Sequence, residues 1–108
     1  MKEKNKEIRK VLLKLGITSN LNDYQCILAG TEVVAKGTTK MTDVYKKVYK
    51  ILKATSSGAV ERNIRHAIDI SYKRTDCLSR IYIEKPTPSI LLNDLVYNLD
   101  LFLEEIGG

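Results

Sequence analysis

The stretch SSGAVERNIRHAIDISYKR, Ser56 to Arg74, carries two different helical faces in one run of residues. Val60, Ile64, Ala67, Ile68 and Ser71 recur at the spacing of a single helical stripe, small and apolar, which predicts a face packed into a core. Arg62, Arg65, His66 and Asp69 recur at i, i+3, i+4 and i+7 on the other side, so the polar face is as ordered as the apolar one. What that face reads is settled by the segments around it.

Immediately upstream, TTKMTDVYKKVYKILKA (38–54) places Val44, Tyr45, Val48, Tyr49 and Leu52 on an inward stripe, with Thr42 as the expected N-cap. Lys46, Lys47, Lys50 and Lys53 stay on its solvated side. A short polar turn, ATSSG, joins the two segments. Two helices linked in this way, the second bearing Arg on its free face, match the helix-turn-helix, in which the second helix enters a DNA major groove. The first helix of such a motif crosses the backbone, so Lys46 and Lys47 become candidate phosphate contacts.

The rest of the chain also reads as helix. NKEIRKVLLKLGI puts Ile8, Val11, Leu12 and Leu15 on one face and ends at Gly16. TSNLNDYQCILAGTEVVAKG offers Ser19 or Asn20 as an N-cap, an inward stripe of Leu21, Tyr24, Leu28 and Ala35, and Gly37 as a stop, with Gly30 as a weak point inside it. TDCLSRIYIEKPTPS is read as a non-helical connector, extended over Arg80 to Glu84 and kept out of helix by Pro86 and Pro88. Ser89 is the expected cap of one last helix, with Leu92, Leu95, Val96, Leu99, Phe102, Leu103 and Ile106 as its apolar stripe. The expectation is an all-α multi-helix bundle built around a helix-turn-helix, with a supporting helix over about 42–54 and a recognition helix over about 58–73. Residues 1–16 form an N-terminal amphipathic helix and 17–108 the helix-turn-helix domain.

At 108 residues, 44% hydrophobic and 29% charged, the chain is one domain able to bury a modest core. The opening MKEKNKEIRK lacks the apolar stretch of a signal peptide and no run is long enough to span a membrane, so the expected location is the cytoplasm, at the nucleoid. Met1 suggests a complete short protein. Cys26 and Cys77, far apart and in no CxxC pair, are expected as reduced thiols packed like small hydrophobes. The single histidine has no His or Cys at ligand spacing, so neither a metal nor any other cofactor is expected. Residues 1 to 53 hold twelve Lys and Arg against five Asp and Glu, whereas residues 86 to 108 hold four acids and no base. A basic body of this kind attracts polyanions.

The motifs carry a resemblance. VERNIRHAI followed by EKPTPS resembles the C-terminal DNA-binding effector domain of the sporulation response regulators, the stage zero sporulation protein A family. The recognition helix of that family has a V-E-R-x-I-R-H-A-I core, and a K-P-T element precedes its last helix. Val60, Glu61, Arg62, Ile64, Arg65, His66, Ala67 and Ile68 match the first element, and Lys85, Pro86 and Thr87 the second. The resemblance runs from Ile17 to Glu105 and implies a helical domain that binds a short TGTCGAA-like box in double-stranded DNA, often in tandem copies, without enzyme activity. Carried over residue by residue, Glu61, Arg62 and Arg65 face base edges, while His66, Ser56 and Ser57 lie near phosphates. Tandem boxes imply head-to-tail self-association on DNA, and RNA polymerase or a full-length response regulator are the further partners implied.

Three departures accompany the match. Ala59 stands where the family has a basic residue, the segment from Arg74 to Lys85 is shorter, and no receiver domain with a phosphorylatable Asp precedes the effector domain. If the chain is complete, control by phosphorylation is not expected to be built in. The residue types suit base reading: Arg donates paired hydrogen bonds to guanine O6 and N7, Glu accepts from cytosine N4, and each good bidentate pair discriminates by about 1–3 kcal/mol. An ordinary explanation competes, because Glu61 with Arg65 and Arg65 with Asp69 are i, i+4 pairs that stabilise an exposed helix without any ligand. A further alternative is a protein-interaction module that pairs with a full-length regulator through the apolar last helix, which requires that stripe to stay exposed. For an enzyme the sequence supplies no nucleophile-base constellation and no phosphate loop.

Overall fold

Helix start and stop signals set most of the element boundaries in the computed structural model, which describes residues 2–18 and 22–107. Helix α1 (Lys2–Lys14) stops at Gly16, whose φ of +83° lets the Ile17 N–H reach back to the Leu12 carbonyl. Helix α2 (Asn22–Ala35) stops in the same way at Gly37, φ +107°. Helix α3 (Met41–Leu52) ends at Lys53, which takes the left-handed conformation at φ 52° without being a glycine, and the Ala54 N–H closes the turn on the Tyr49 carbonyl. Next comes α4 (Ser57–Arg74), entered through Ser56, whose hydroxyl accepts a hydrogen bond from the Ala59 N–H at 3.0 Å. Helices α5 (Asp76–Ile81), α6 (Pro88–Tyr97) and α7 (Asp100–Gly107) complete the chain, and no strand occurs among the described residues.

The expected all-α bundle is present, with α2 at its centre against α3, α4 and α6, and α3 against α4. Helix α1 packs on α2 and α7, and α5 bridges α4 and α7. The stripes of α1, α3 and α4 supply core, whereas in α2, among the described residues, only Tyr24 of the expected stripe is buried: Leu28 and Ala35 are half-buried, and Cys26, Ile27, Ala29, Val33 and Val34 face the core instead. Ile8, Val11 and Leu12 of α1 and Leu15 just after it are buried, as are Val44 and Val48 of α3. In α4 the buried residues are Val60, Ile64, Ala67, Ile68 and Ser71, the five expected. Gly30 is buried and lies so close to α6 that a Cβ there would stand 3.0 Å from Leu92 Cδ1. Cys26 and Cys77 are both free thiols.

Several boundaries differ from the sequence reading. Thr42 is inside α3 rather than its cap. The helix begins at Met41 behind an extended Lys40 that provides no side-chain cap, and Asp43 instead sets a negative charge in the first turn. Tyr49, expected inward, is 37% exposed. Arg80 is not extended, because Asp76–Ile81 is helix α5, anchored by the buried Leu78. Thr87, not Ser89, caps α6: its Oγ1 accepts from the Ile90 N–H at 3.2 Å, and Pro88 occupies the first helical position, where its missing N–H costs nothing. The last helix is two helices, broken at Asn98. The expected α2 cap at Ser19 or Asn20, and Leu21 of its stripe, lie outside the described residues.

The cap at Ser56 yields a direct expectation. Ser56→Ala removes the one side-chain acceptor serving the first turn of α4 and should cost about 0.5–2 kcal/mol. Urea denaturation followed by circular dichroism checks this, and an unchanged midpoint would mean that solvent serves the Ala59 N–H as well as the hydroxyl does.

Candidate nucleic-acid interface

The polar face of α4 is presented to solvent because the opposite face is consumed by the core. Arg62, Arg65 and His66 are exposed on one side of the helix, and Glu61 and Asp69 flank them half-buried. The turn before α4 brings Ser56, exposed, and Ser57, half-buried, to the head of the same face. Lys46 and Lys47 are exposed on α3. The sequence-predicted residues thus fall on α3, the turn that follows it and α4 from Ser57 to His66.

Within this surface the side chains are already partly engaged. Arg65 Nη2 lies 3.4 Å from Glu61 Oε2, an i, i+4 pair with both side chains well exposed. Such a pair holds two long side chains loosely and yields easily to a stronger partner. Arg62 leans back along the helix, its Nη1 4.0 Å from where a Cβ at Gly58 would sit. Lys47 Nζ donates to Thr38 Oγ1 at 2.9 Å. Tyr45 of α3 stands beside the Glu61 and Arg65 charges; burial pushes its hydroxyl above the ordinary tyrosine value, and Glu61 pushes the same way.

Two contacts on this face have no counterpart in the sequence reading. His66 Nδ1 is 2.6 Å from Oδ2 of Asp23, a buried residue at the start of α2. Asp69 does not pair with Arg65; its Oδ1 is 2.5 Å from Lys85 Nζ, in the connector after α5. The Lys85 hydrogen bond holds the Asp69 carboxyl below its usual value, with the Lys85, Lys73 and His66 charges adding to the effect. Lone residues 43 and 16 positions apart, as these partners are, carry no periodic signal. Only the fold brings them together.

Tyr72 ties the same connector to α4, its single hydroxyl hydrogen shared between the carbonyls of Tyr82 at 3.0 Å and Ile83 at 2.9 Å. The apolar stripe of the C-terminal segment is largely inside the protein: Leu92, Leu95, Val96 and Phe102 are buried. Among the described residues no group of three or more His, Cys, Asp or Glu side chains assembles for a metal, and no helix is long and apolar enough to cross a membrane.

Against known proteins, the family model described as Sporulation initiation factor Spo0A C terminal matches residues 8–89, which include α2, α3, the turn, α4 and the connector. No curated protein and no solved structure matches the chain.

Proposed function

Because the chain belongs to the sporulation initiation factor Spo0A C-terminal family, a family of helical domains that bind double-stranded DNA and are not enzymes, we propose that it is a transcription regulator that reads a short TGTCGAA-like box through α4. In this reading α4 lies in the major groove, with Glu61, Arg62 and Arg65 toward base edges. His66, Ser56, Ser57, Lys46 and Lys47 meet the phosphates on either side. One observation supports it above the others. The face of α4 that carries Arg62, Arg65 and His66 is open to solvent over its whole first half, directly behind a turn capped by Ser56.

The chemistry follows from that placement. A guanidinium at the groove floor donates to guanine O6 and N7, and the neighbouring Glu61 carboxylate accepts from a cytosine amino group. The exposed Glu61–Arg65 pair, at 3.4 Å, gives way at little cost, which leaves both groups available to the bases. Cations and hydroxyls around them contribute affinity without sequence preference and make binding salt-dependent.

Selection of binding sites from random duplex DNA tests the reading. A recovered motif containing G and C within a short box is the expected result. Failure to enrich any motif, under conditions where circular dichroism shows the helices intact, would overturn it.

A further inference from the structure

The contact between His66 and Asp23 settles more than where the imidazole sits. Asp23 is buried, with a side-chain exposure of 11%, whereas the His66 side chain is 61% exposed. At 2.6 Å, Asp23 Oδ2 and His66 Nδ1 share a hydrogen. An ionised carboxylate only accepts, so the hydrogen belongs to Nδ1. Two forms of the ring meet that condition. The neutral form has its N–H on Nδ1 and a lone pair on Nε2; the imidazolium has an N–H on both. They differ at the atom on the far side of the ring from Asp23. A lone pair there repels a phosphate oxygen, whereas a cationic N–H donates to it a charge-assisted hydrogen bond.

We infer that Asp23 is a positioning residue that makes the phosphate contact of His66 proton-linked: the ring grips the DNA backbone as the imidazolium, and binding takes up a proton from solvent at Nε2. The inference rests on the DNA-binding reading above and adds to it a residue from α2 and a dependence on pH. The charged groups around the ring are Asp23 from α2 and, on α4 itself, Arg62 one turn before and Asp69 one turn after. Asp69 is in turn engaged by Lys85 from the connector and faced by Lys73. Gly16 and Ile17, which adjoin Asp23, Ala67 and Ile70 where α1 runs toward α2, bring no titratable group.

The sign follows from linkage. Bound phosphate stabilises the protonated ring, so the complex binds more protons than the free protein and affinity rises as pH falls through the imidazole range. One proton corresponds to a slope approaching about tenfold in affinity per pH unit. The asparagine variant separates positioning from mere packing. In Asp23→Asn the amide can donate to Nδ1, which leaves the neutral ring with its N–H on Nε2 and able to meet phosphate without taking up a proton.

The test combines two measurements. Duplex affinity is followed by fluorescence anisotropy from about pH 5 to pH 8 for the parent protein, His66→Gln and Asp23→Asn. The tautomer of the free protein is read from long-range proton–nitrogen NMR correlations, which are unambiguous because the chain has a single histidine. Expected are a parent affinity that climbs toward acid pH, a flat profile in His66→Gln, a shallower profile in Asp23→Asn, and the Nδ1–H tautomer in the free neutral ring. His66→Gln alters an exposed side chain and keeps the test standing should Asp23→Asn fail to fold. A flat parent profile, a slope that survives in His66→Gln, binding that strengthens toward alkaline pH, or an Nε2–H tautomer in the free protein would each overturn the inference. A protein that shows the Nδ1–H tautomer yet binds no duplex at any pH would overturn the DNA-binding reading, and the phosphate contact with it.

Discussion

Phe102→Ala is expected to destabilise the protein by about 3–5 kcal/mol, a large share of the roughly 5–15 kcal/mol that holds a domain of this size together. Phe102 heads the fully buried side chains by volume and has no exposure. It is the main anchor of α7, a helix too short to persist alone and held by α1 and α5. Its ring meets that of Tyr82 at 6.3 Å between centroids and a tilt of 57°. Tyr82 is itself fixed by a 2.6 Å hydrogen bond from its hydroxyl to Asp94 Oδ2, and burial, reinforced by Asp94, pushes its hydroxyl far above the ordinary tyrosine value. Truncating Phe102 removes the transfer free energy of the ring and leaves a void between α5 and α7 that neither short helix can move to fill. Urea melts measure the loss, with Phe102→Leu as a milder control. A midpoint within experimental error of the parent would show that α7 contributes nothing to the cooperative unit.

Arg65→Ala and Arg62→Ala should each cost about 1–3 kcal/mol on the preferred box and relax preference at one or two base positions. Affinity and specificity fall together because a lost guanidinium removes contacts that only the right base provides. Stability should hardly change, since the Glu61 pair broken by Arg65→Ala is exposed and worth little. Lys46→Ala fails differently. It should weaken boxed and scrambled duplexes alike and lower the salt slope by about one unit for the phosphate contact removed. Competition titrations over several salt concentrations distinguish the two patterns. If both arginine variants leave the boxed-to-scrambled ratio unchanged, the open face of α4 is an ordinary salt-bridged surface.

The parts of the fold legible in the sequence are those in which local signals and packing agree. Helix α4 has a complete stripe of small apolar residues, a serine cap and a length that no strand would reach, and the structure extends the expected span by one residue at each end. Gly16 and Gly37 announce their turns because few other residues tolerate a positive φ. Helix α5 was hidden for the opposite reason. Its six residues are too few to show a period, the β-branched and aromatic run Ile81 to Ile83 points toward an extended chain, and the helix exists by virtue of Leu78 entering the core. The break at Asn98 is invisible because the apolar spacing from Leu92 to Ile106 continues across it. There the Asn98 side chain turns back to Asp94 Oδ1 at 2.9 Å, and α7 restarts within the next turn. On the open face of α4, the arginines and the histidine could be read from periodicity. Their restraints could not: Asp23 and Lys85 reach α4 from other elements, and no spacing rule links them to it.

The approach of Gly30 to Leu92 has a consequence for how sequences of this fold can vary. A methyl at position 30 would stand 3.0 Å from Leu92 Cδ1, so the two positions are in tight contact. A side chain gained on α2 is met by a shift of the Leu92 side chain of a few tenths of an ångström, by carbon given up on α6, or by the two helices moving apart. Helix α2 also packs on α3 and α4, so a shift at that crossing is passed on to the angle between those two helices. Among chains that keep the angle, the residues at 30 and 92 should therefore change as a correlated pair, and the record of that exchange would sit in the core, away from the open face of α4.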